Sequence, residues 1–308
     1  MGVYRGAYRH EPDLDDVMGR AKQHGVCRIV LTAGTVEESR KAVEMARDWN
    51  QKYGTTTGII FTSTVGVHPT RCQQVFEPDS SQDDGGGDSE GGEALLDELL
   101  EIARDGMKDG TVSAIGEIGL DYARLQFCPM NVQKRWLRLQ LERVAKPTGL
   151  PLFLHNRNVG TDLHNMLNEH ADCWKDAGGV VHSFDDKIEL ANMFINGLGL
   201  YIGLNGCSLR TEDNMEVVGQ LPLERILLET DCPYCDVRRT HAGYRHVQTH
   251  IDAKAEKKFQ RGYAVKNRQE PGHVIQVAEA IAGCKQLPLQ QVADTCYQNT
   301  LRVFGFDK

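Results

Sequence analysis

No stretch of this chain approaches the roughly 20 consecutive apolar residues needed to span a bilayer. The opening residues, M-G-V-Y-R-G-A-Y-R, contain no apolar signal-peptide core. A helical membrane span is excluded and a soluble globular protein is expected. Cysteine is not organised into a framework. The nine thiols are odd in number, scattered, and mostly flanked by core-like residues, which predicts reduced cysteines in a cytoplasmic or nuclear protein. An excess of positive charge is also missing. The net charge of −8 argues against diffuse nucleic-acid binding by the whole surface. Basic residues are absent from Glu77 to Glu93, which carries seven acids. Within it, the Gly/Asp/Ser tract from Ser80 to Gly92 has nothing with which to bury a core, so 77–93 is expected to be a disordered acidic insertion.

What is present is ordinary in bulk and uneven in place. Apolar residues make up 40% and charged residues 25%, and 308 residues suit either two small domains or one large barrel. Arg238 to Arg268 holds nine Lys or Arg against Asp252 and Glu256, a local balance of +7. That segment, within a loop spanning 236–270, is either a phosphate-facing surface or a solvated face.

The periodicity alternates strictly. Apolar strands are predicted at Cys27 to Thr32, Ile59 to Val67, Thr111 to Ile115, Gly149 to His155, from Gly179 to His182, Leu198 to Leu204 and Arg225 to Glu229. Helices are predicted between them, among them Pro12 to Gly25, Val36 to Tyr53, Leu95 to Met107 and Met130 to Ala145. Seven strands alternating with helices mean a parallel α/β sheet. Residues with chemical character sit at the carboxyl ends of several strands: His68, Glu117, His155, His182 and Asp231. A TIM-type (β/α)8 barrel gathers all those ends at one mouth, whereas an open doubly wound sheet gathers them only near its switch point. The barrel is therefore expected.

The stretch A-I-G-E-I-G-L-D-Y, Ala114 to Tyr122, is central. Glu117 ends a buried strand between Gly116 and Gly119, and a buried carboxylate is costly unless a metal ion or a salt bridge neutralises it. Once barrel geometry brings Glu117, His155, His182 and Asp231 together, a metal site is expected, with a donor set that suits Zn²⁺, Mn²⁺ or Mg²⁺. Arg157 and Arg124 follow two of these strand ends and are either phosphate clamps or surface ion pairs. His68, before Pro69, is a substrate partner or a turn residue. His241 lies in T-H-A-G of the basic loop. Cys232 and Cys235 in C-P-Y-C have no second Cys pair and read as structural. Glu270 in R-Q-E-P either anchors the basic loop to the barrel or holds a metal-bound water, and the anchor is the reading adopted.

In chain order G-V-H-P-T, A-I-G-E-I-G-L-D-Y-A-R-L-Q-F-C, L-F-L-H-N-R-N, V-V-H-S-F, L-Y-I-G-L-N-G-C-S-L, L-L-E-T-D-C-P-Y-C, T-H-A-G and N-T-L-R-V-F closely resemble the TatD family of metal-dependent deoxyribonucleases, in its eukaryotic branch. The resemblance runs from about Tyr8 to Phe304. It implies a TIM-type barrel with two divalent metal ions that cleaves DNA phosphodiesters. It further implies that Glu117 bridges the ions, His155 and His182 hold one and Asp231 the other. Glu117 and Asp231 would be the catalytic pair, while His68, Arg157 and His241 match positions lining the substrate mouth; Arg124 joins them only as a phosphate clamp read from its place after the Glu117 turn. DNA would be gripped through its phosphates by the basic loop. Two rival readings stand beside it: an amidohydrolase-type metallohydrolase, and a barrel that binds nucleic acid without turnover.

One departure matters. The bacterial pattern has a first strand bearing H-x-H, and here no strand precedes the helix at Pro12 to Gly25. The barrel is thus expected to lack its first strand, with a gap between Cys27 to Thr32 and Arg225 to Glu229 and irregular chain at Met1 to Arg9. The natural chain is further expected to begin upstream.

Overall fold

The computed structural model describes residues 2–4, 6–78 and 90–306. It opens with an antiparallel hairpin, β1 (Val3–Tyr4) and β2 (Ala7–Tyr8). This corrects the expectation of irregular chain at Met1 to Arg9. The hairpin has partners to order it: the Tyr4 hydroxyl lies 3.4 Å and Arg9 Nη1 3.5 Å from the Glu256 carboxylate.

Seven parallel strands follow: β3 (Arg28–Leu31), β4 (Ile60–Val65), β5 (Val112–Asp121), β6 (Leu152–Arg157), β7 (Gly179–Val181), β8 (Tyr201–Leu204) and β9 (Ile226–Leu228). They are hydrogen-bonded in chain order from β3 to β9. A parallel neighbour needs a crossover, and helices such as Val36–Thr57, Glu90–Lys108, Met130–Gln140 and Asp162–Glu169 supply it. Among the described residues no strand joins β9 back to β3, so these two are the edges, as expected. A short parallel pair, β10 (Ala253–Lys254) and β11 (Ala264–Val265), lies within the basic loop.

Side chains alternate across each strand, and the two faces of the sheet have different work. Outward residues such as Val65, Ile115, Leu154, Val181, Ile202 and Ile226 join Leu99, Trp136 and Phe194 of the helical layer in the main core. On the other face Val180, Tyr201 and Leu227, with Phe153 beside them, meet Val303 and Phe304 of the C-terminal helix Leu289–Phe304. Two residues further along those strands the same face presents His155, His182, Gly203 and Glu229. An apolar floor and a polar mouth therefore follow from a period of two.

Three boundaries differ from expectation. Glu77, assigned to the acidic insertion, is instead buried and accepts hydrogen bonds from Arg135 and Trp136, while Phe76 stacks on Trp136 at 4.1 Å. The next helix begins at Glu90 rather than Leu95, helped by Arg143 pairing with Glu93 at 3.0 Å and Asp97 at 2.7 Å. The rest of the insertion, 79–89, lies outside the described residues. Finally, β5 does not stop at Ile115 but runs through Glu117 to Asp121.

Candidate metal centre at the strand ends

Glu117 sits at an irregularity built into β5. Gly116 pairs with Phe153 and Ile118 with Leu154, leaving Glu117 as the extra residue between them. Its backbone N–H donates to the Ala33 carbonyl at 2.9 Å instead of joining the β6 ladder. The flanking glycines allow close approach to β6. A Cβ at Gly116 would fall 2.4 Å from the Phe153 carbonyl oxygen. One at Gly119, whose φ is +145°, would fall 2.1 Å from that of His155.

Three imidazoles converge on one oxygen. Oε1 of Glu117 lies 2.7 Å from His155 Nδ1, 2.7 Å from His182 Nε2 and 3.5 Å from His68 Nε2. Donor atoms of His68, Glu117 and His155 all fall within 4.8 Å of one another. Each ring is also held from behind. His155 Nε2 faces Asp121 Oδ2 at 3.2 Å, His182 Nδ1 faces Glu229 Oε2 at 3.6 Å, and His68 Nδ1 meets Thr70 Oγ1 at 2.8 Å. A carboxylate behind a ligating imidazole fixes the ring's orientation and tautomer. Glu229 is itself fixed, accepting from the Ser183 N–H at 3.1 Å and Asn205 Nδ2 at 3.4 Å.

The electrostatics follow from burial and pairing. Burial raises the Glu117 pKa, but the His182 and His155 imidazoles outweigh it and hold the carboxyl well below its usual range. Burial lowers the His182 pKa, and the Glu117 and Glu229 carboxylates reverse that and lift it well above normal. His155 is raised in the same way by Asp121 and Glu117 against its burial. His68 goes the other way, to about 4, because burial outweighs the pull of Glu117. Asp231 is an exposed residue at the mouth, but partial loss of water around its carboxyl raises its pKa, which the field of His182 and a hydrogen bond from Cys235 only partly oppose.

Not every expected residue joins the cluster directly. The Asp231 carboxylate, on the loop after β9, feels Glu117 and His182 electrostatically, and its hydrogen-bond donor is Cys235 Sγ at 3.2 Å. Arg124 and Arg157 are exposed and act on Asp121 through their charge. His241 is held at the loop by the Arg238 N–H, 3.3 Å from its Nδ1. Glu270 is indeed an anchor: Arg20 Nε donates to it at 2.8 Å and Arg268 Nη2 at 2.5 Å, all three side chains being buried. Cys235, read as structural, lies beside the site, its thiol touching Asp231. Asp121, Asn205, Gly203 and Glu229 were missed as site residues. The signal was available for Glu229, which follows Leu227 on the inward face two residues before Asp231.

The donor set fits a divalent cation. Imidazole nitrogens and carboxylate oxygens are the ligands Zn²⁺ and Mn²⁺ prefer, and Asp121 Oδ1 is buried without a hydrogen-bond partner. Such a cluster, at the carboxyl ends of a parallel sheet wrapped by helices, defines a barrel-type metal-dependent hydrolase. The chain belongs to the TatD-related DNase family, whose model, TatD related DNase, it matches over residues 6–305. It is 38% identical to the Deoxyribonuclease Tat-D of Schizosaccharomyces pombe over 99% of this chain and 91% of that protein. It is 30% identical to the 3'-5' ssDNA/RNA exonuclease TatD of Salmonella typhimurium over 76% of this chain and 78% of that one. Among solved structures, the TatD family hydrolase of Entamoeba histolytica superposes with a TM-score of 0.84 at 34% identity, covering 98% of this chain and 93% of that one.

Proposed function

We propose that this protein is a divalent-metal-dependent deoxyribonuclease that hydrolyses DNA phosphodiester bonds with two metal ions. The observation that carries the reading is the convergence of His68, His155 and His182 on Glu117 Oε1, with Asp231 facing the same mouth. In this reading Glu117, His155, His182 and Asp231 would hold the ions, with Glu117 at the centre of the donor set. Bound there, divalent ions would supply neutralisation of the phosphoryl oxygens and a water acidic enough to act near neutral pH. Asp231 would also take the proton from the attacking water. Asp121 and Glu229 keep the two imidazoles aimed. His68, Arg124, Arg157 and His241 bind the scissile and neighbouring phosphates, and the 236–270 loop holds the flanking strand by its backbone.

Nuclease names among the relatives support this choice, as does the central carboxylate, which favours phosphodiesters over the amides or esters of an amidohydrolase-type enzyme. The test is incubation of purified protein with single- and double-stranded DNA in Mg²⁺, Mn²⁺ or EDTA. Cleavage is expected only with metal, and Glu117→Ala is expected to abolish it while the circular dichroism spectrum is retained. Undiminished cleavage by the folded mutant would discard this site, and binding without any turnover would favour a non-catalytic barrel.

A further inference from the structure

Two thiols outside the proposed metal ligands lie against each other. Cys207 follows β8 and Cys235 follows β9, 28 residues apart in the chain, yet their sulfurs are 2.7 Å apart. Both cysteines are half-buried and so remain within reach of a small oxidant. Their loops are tightly matched. A Cβ at Gly206 would fall 2.1 Å from the Cys235 carbonyl oxygen, so the chain before Cys207 is pressed onto the chain bearing Cys235. The Cys207 N–H is fixed by Asn205 Oδ1 at 2.8 Å, and Arg210 Nη2 lies 3.0 Å from Cys207 Sγ, a cation beside a potential thiolate.

We infer that Cys207 and Cys235 form a modification site, a dithiol that a peroxide closes to a disulfide. The step balances as two successive displacements. Cys207 sulfur attacks one peroxide oxygen, the O–O bond breaks, an alcohol or water leaves, and Cys207 becomes a sulfenic acid. Cys235 sulfur then attacks that sulfur, the S–O bond breaks, water leaves, and the S–S bond forms. Two thiols lose two electrons and two protons, and one peroxide is reduced. A disulfide bond of about 2.03–2.05 Å needs only a short further approach of the two sulfurs.

The modification reaches the metal centre through one hydrogen. The Cys235 thiol is the donor to Asp231 Oδ2, and a disulfide sulfur has no hydrogen to donate. Asn205, which fixes the Cys207 N–H, also donates to the Glu229 carboxylate behind His182, so both sides of the site adjoin the bridge. Loss of an outer partner of a metal ligand typically lowers metal affinity or activity about 10–100-fold. The effect on turnover rests on the nuclease reading above; formation of the bond does not.

The experiment is treatment of the full chain with hydrogen peroxide, followed by alkylation of remaining thiols and peptide mass spectrometry. A peptide pair joining Cys207 to Cys235, lighter by two hydrogens and reopened by dithiothreitol, is expected, and Cys207→Ser is expected to remove it. In parallel, Mn²⁺-supported DNA cleavage should fall about tenfold or more on oxidation and recover with dithiothreitol. Cys207→Ser should cleave normally and resist peroxide. A Cys232–Cys235 bridge, or nine intact thiols after treatment, would overturn the proposal. If the bridge forms and the protein cuts no DNA in any state, the dithiol stands and the nuclease reading falls.

Discussion

No side chain fits at Gly203 while Glu229 stands behind His182: a Cβ there would fall 1.6 Å from Glu229 Oε1 and 3.1 Å from the His182 Cα. The glycine in Y-I-G-L is thus a cradle for a carboxylate, not a flexible point in a strand. Glu229 in turn faces the ring nitrogen of His182 that does not meet Glu117.

Gly203→Ala is therefore expected to push Glu229 aside and let the His182 ring rotate. Metal affinity should fall about 10–100-fold, the usual cost of losing an outer partner. Titration of the folded mutant with Mn²⁺ by calorimetry checks this. Wild-type affinity would show that Glu229 does not orient His182.

The metal-free protein should depend on pH in a defined direction. His155 and His182 have pKa values raised above the ordinary 6.5, so their folded-state protons stabilise the chain fully below that value. The contribution is lost as pH rises through the raised values. Glu117, held below its usual 4.5, contributes above 4.5 and loses that only in acid. His68, lowered to about 4, stays neutral and favours the fold increasingly as pH rises from there to 6.5. Above about pH 6.5 the histidine pair dominates, so the Tm of EDTA-treated protein should fall with rising pH. Manganese binding, which displaces those protons, should widen the Tm gap between loaded and stripped protein over the same range. A stripped protein that grows more stable from pH 6.5 to 8.5 would contradict the pairing.

The basic loop is pinned by a buried ion cluster. Arg268 bonds Asp13 at 2.9 and 2.6 Å and Glu270 at 2.5 Å, and its side chain is 0% exposed. Arg268→Leu leaves two buried carboxylates short of a cation and should cost about 3–5 kcal/mol. Chemical denaturation measures it. A loss below about 1 kcal/mol would mean that the carboxylates find other partners or protonate cheaply.

Not all nine basic residues of Arg238 to Arg268 are equally free to meet phosphate. Arg238 pairs with Asp236 at 3.2 Å, Arg245 with Glu212 at 2.8 Å and Arg261 with Asp16 at 3.3 Å. Among the described residues, Arg239, Lys257, Lys258 and Lys266 have no ion-pair partner within 4.0 Å. Charge reversal at these four should weaken DNA binding and lower the salt slope by about 1 per lost phosphate contact. Reversal at Arg238 and Arg245 should do less. Equal effects from both sets would assign the response to net charge alone.

Much of this architecture is written locally. Apolar runs such as R-I-V-L and L-F-L-H recur with helical segments between them, and parallel pairing of neighbours in chain order follows from that alternation. Strand polarity then places His155, His182 and Asp231 at one end, whatever the distances between them. The sequence also shows that Glu117 lies between glycines. It does not show that Glu117 is the unpaired residue of a continuing strand, because that depends on register against β6. Nor does it mark Asp121 and Glu229 as the carboxylates behind the histidines, or Cys207 and Cys235 as neighbours. Those relationships join residues 28 to 47 positions apart across separate strands. Periodicity is a property of a few adjacent residues, whereas a contact between strand ends exists only once sheet curvature and packing have fixed their spacing.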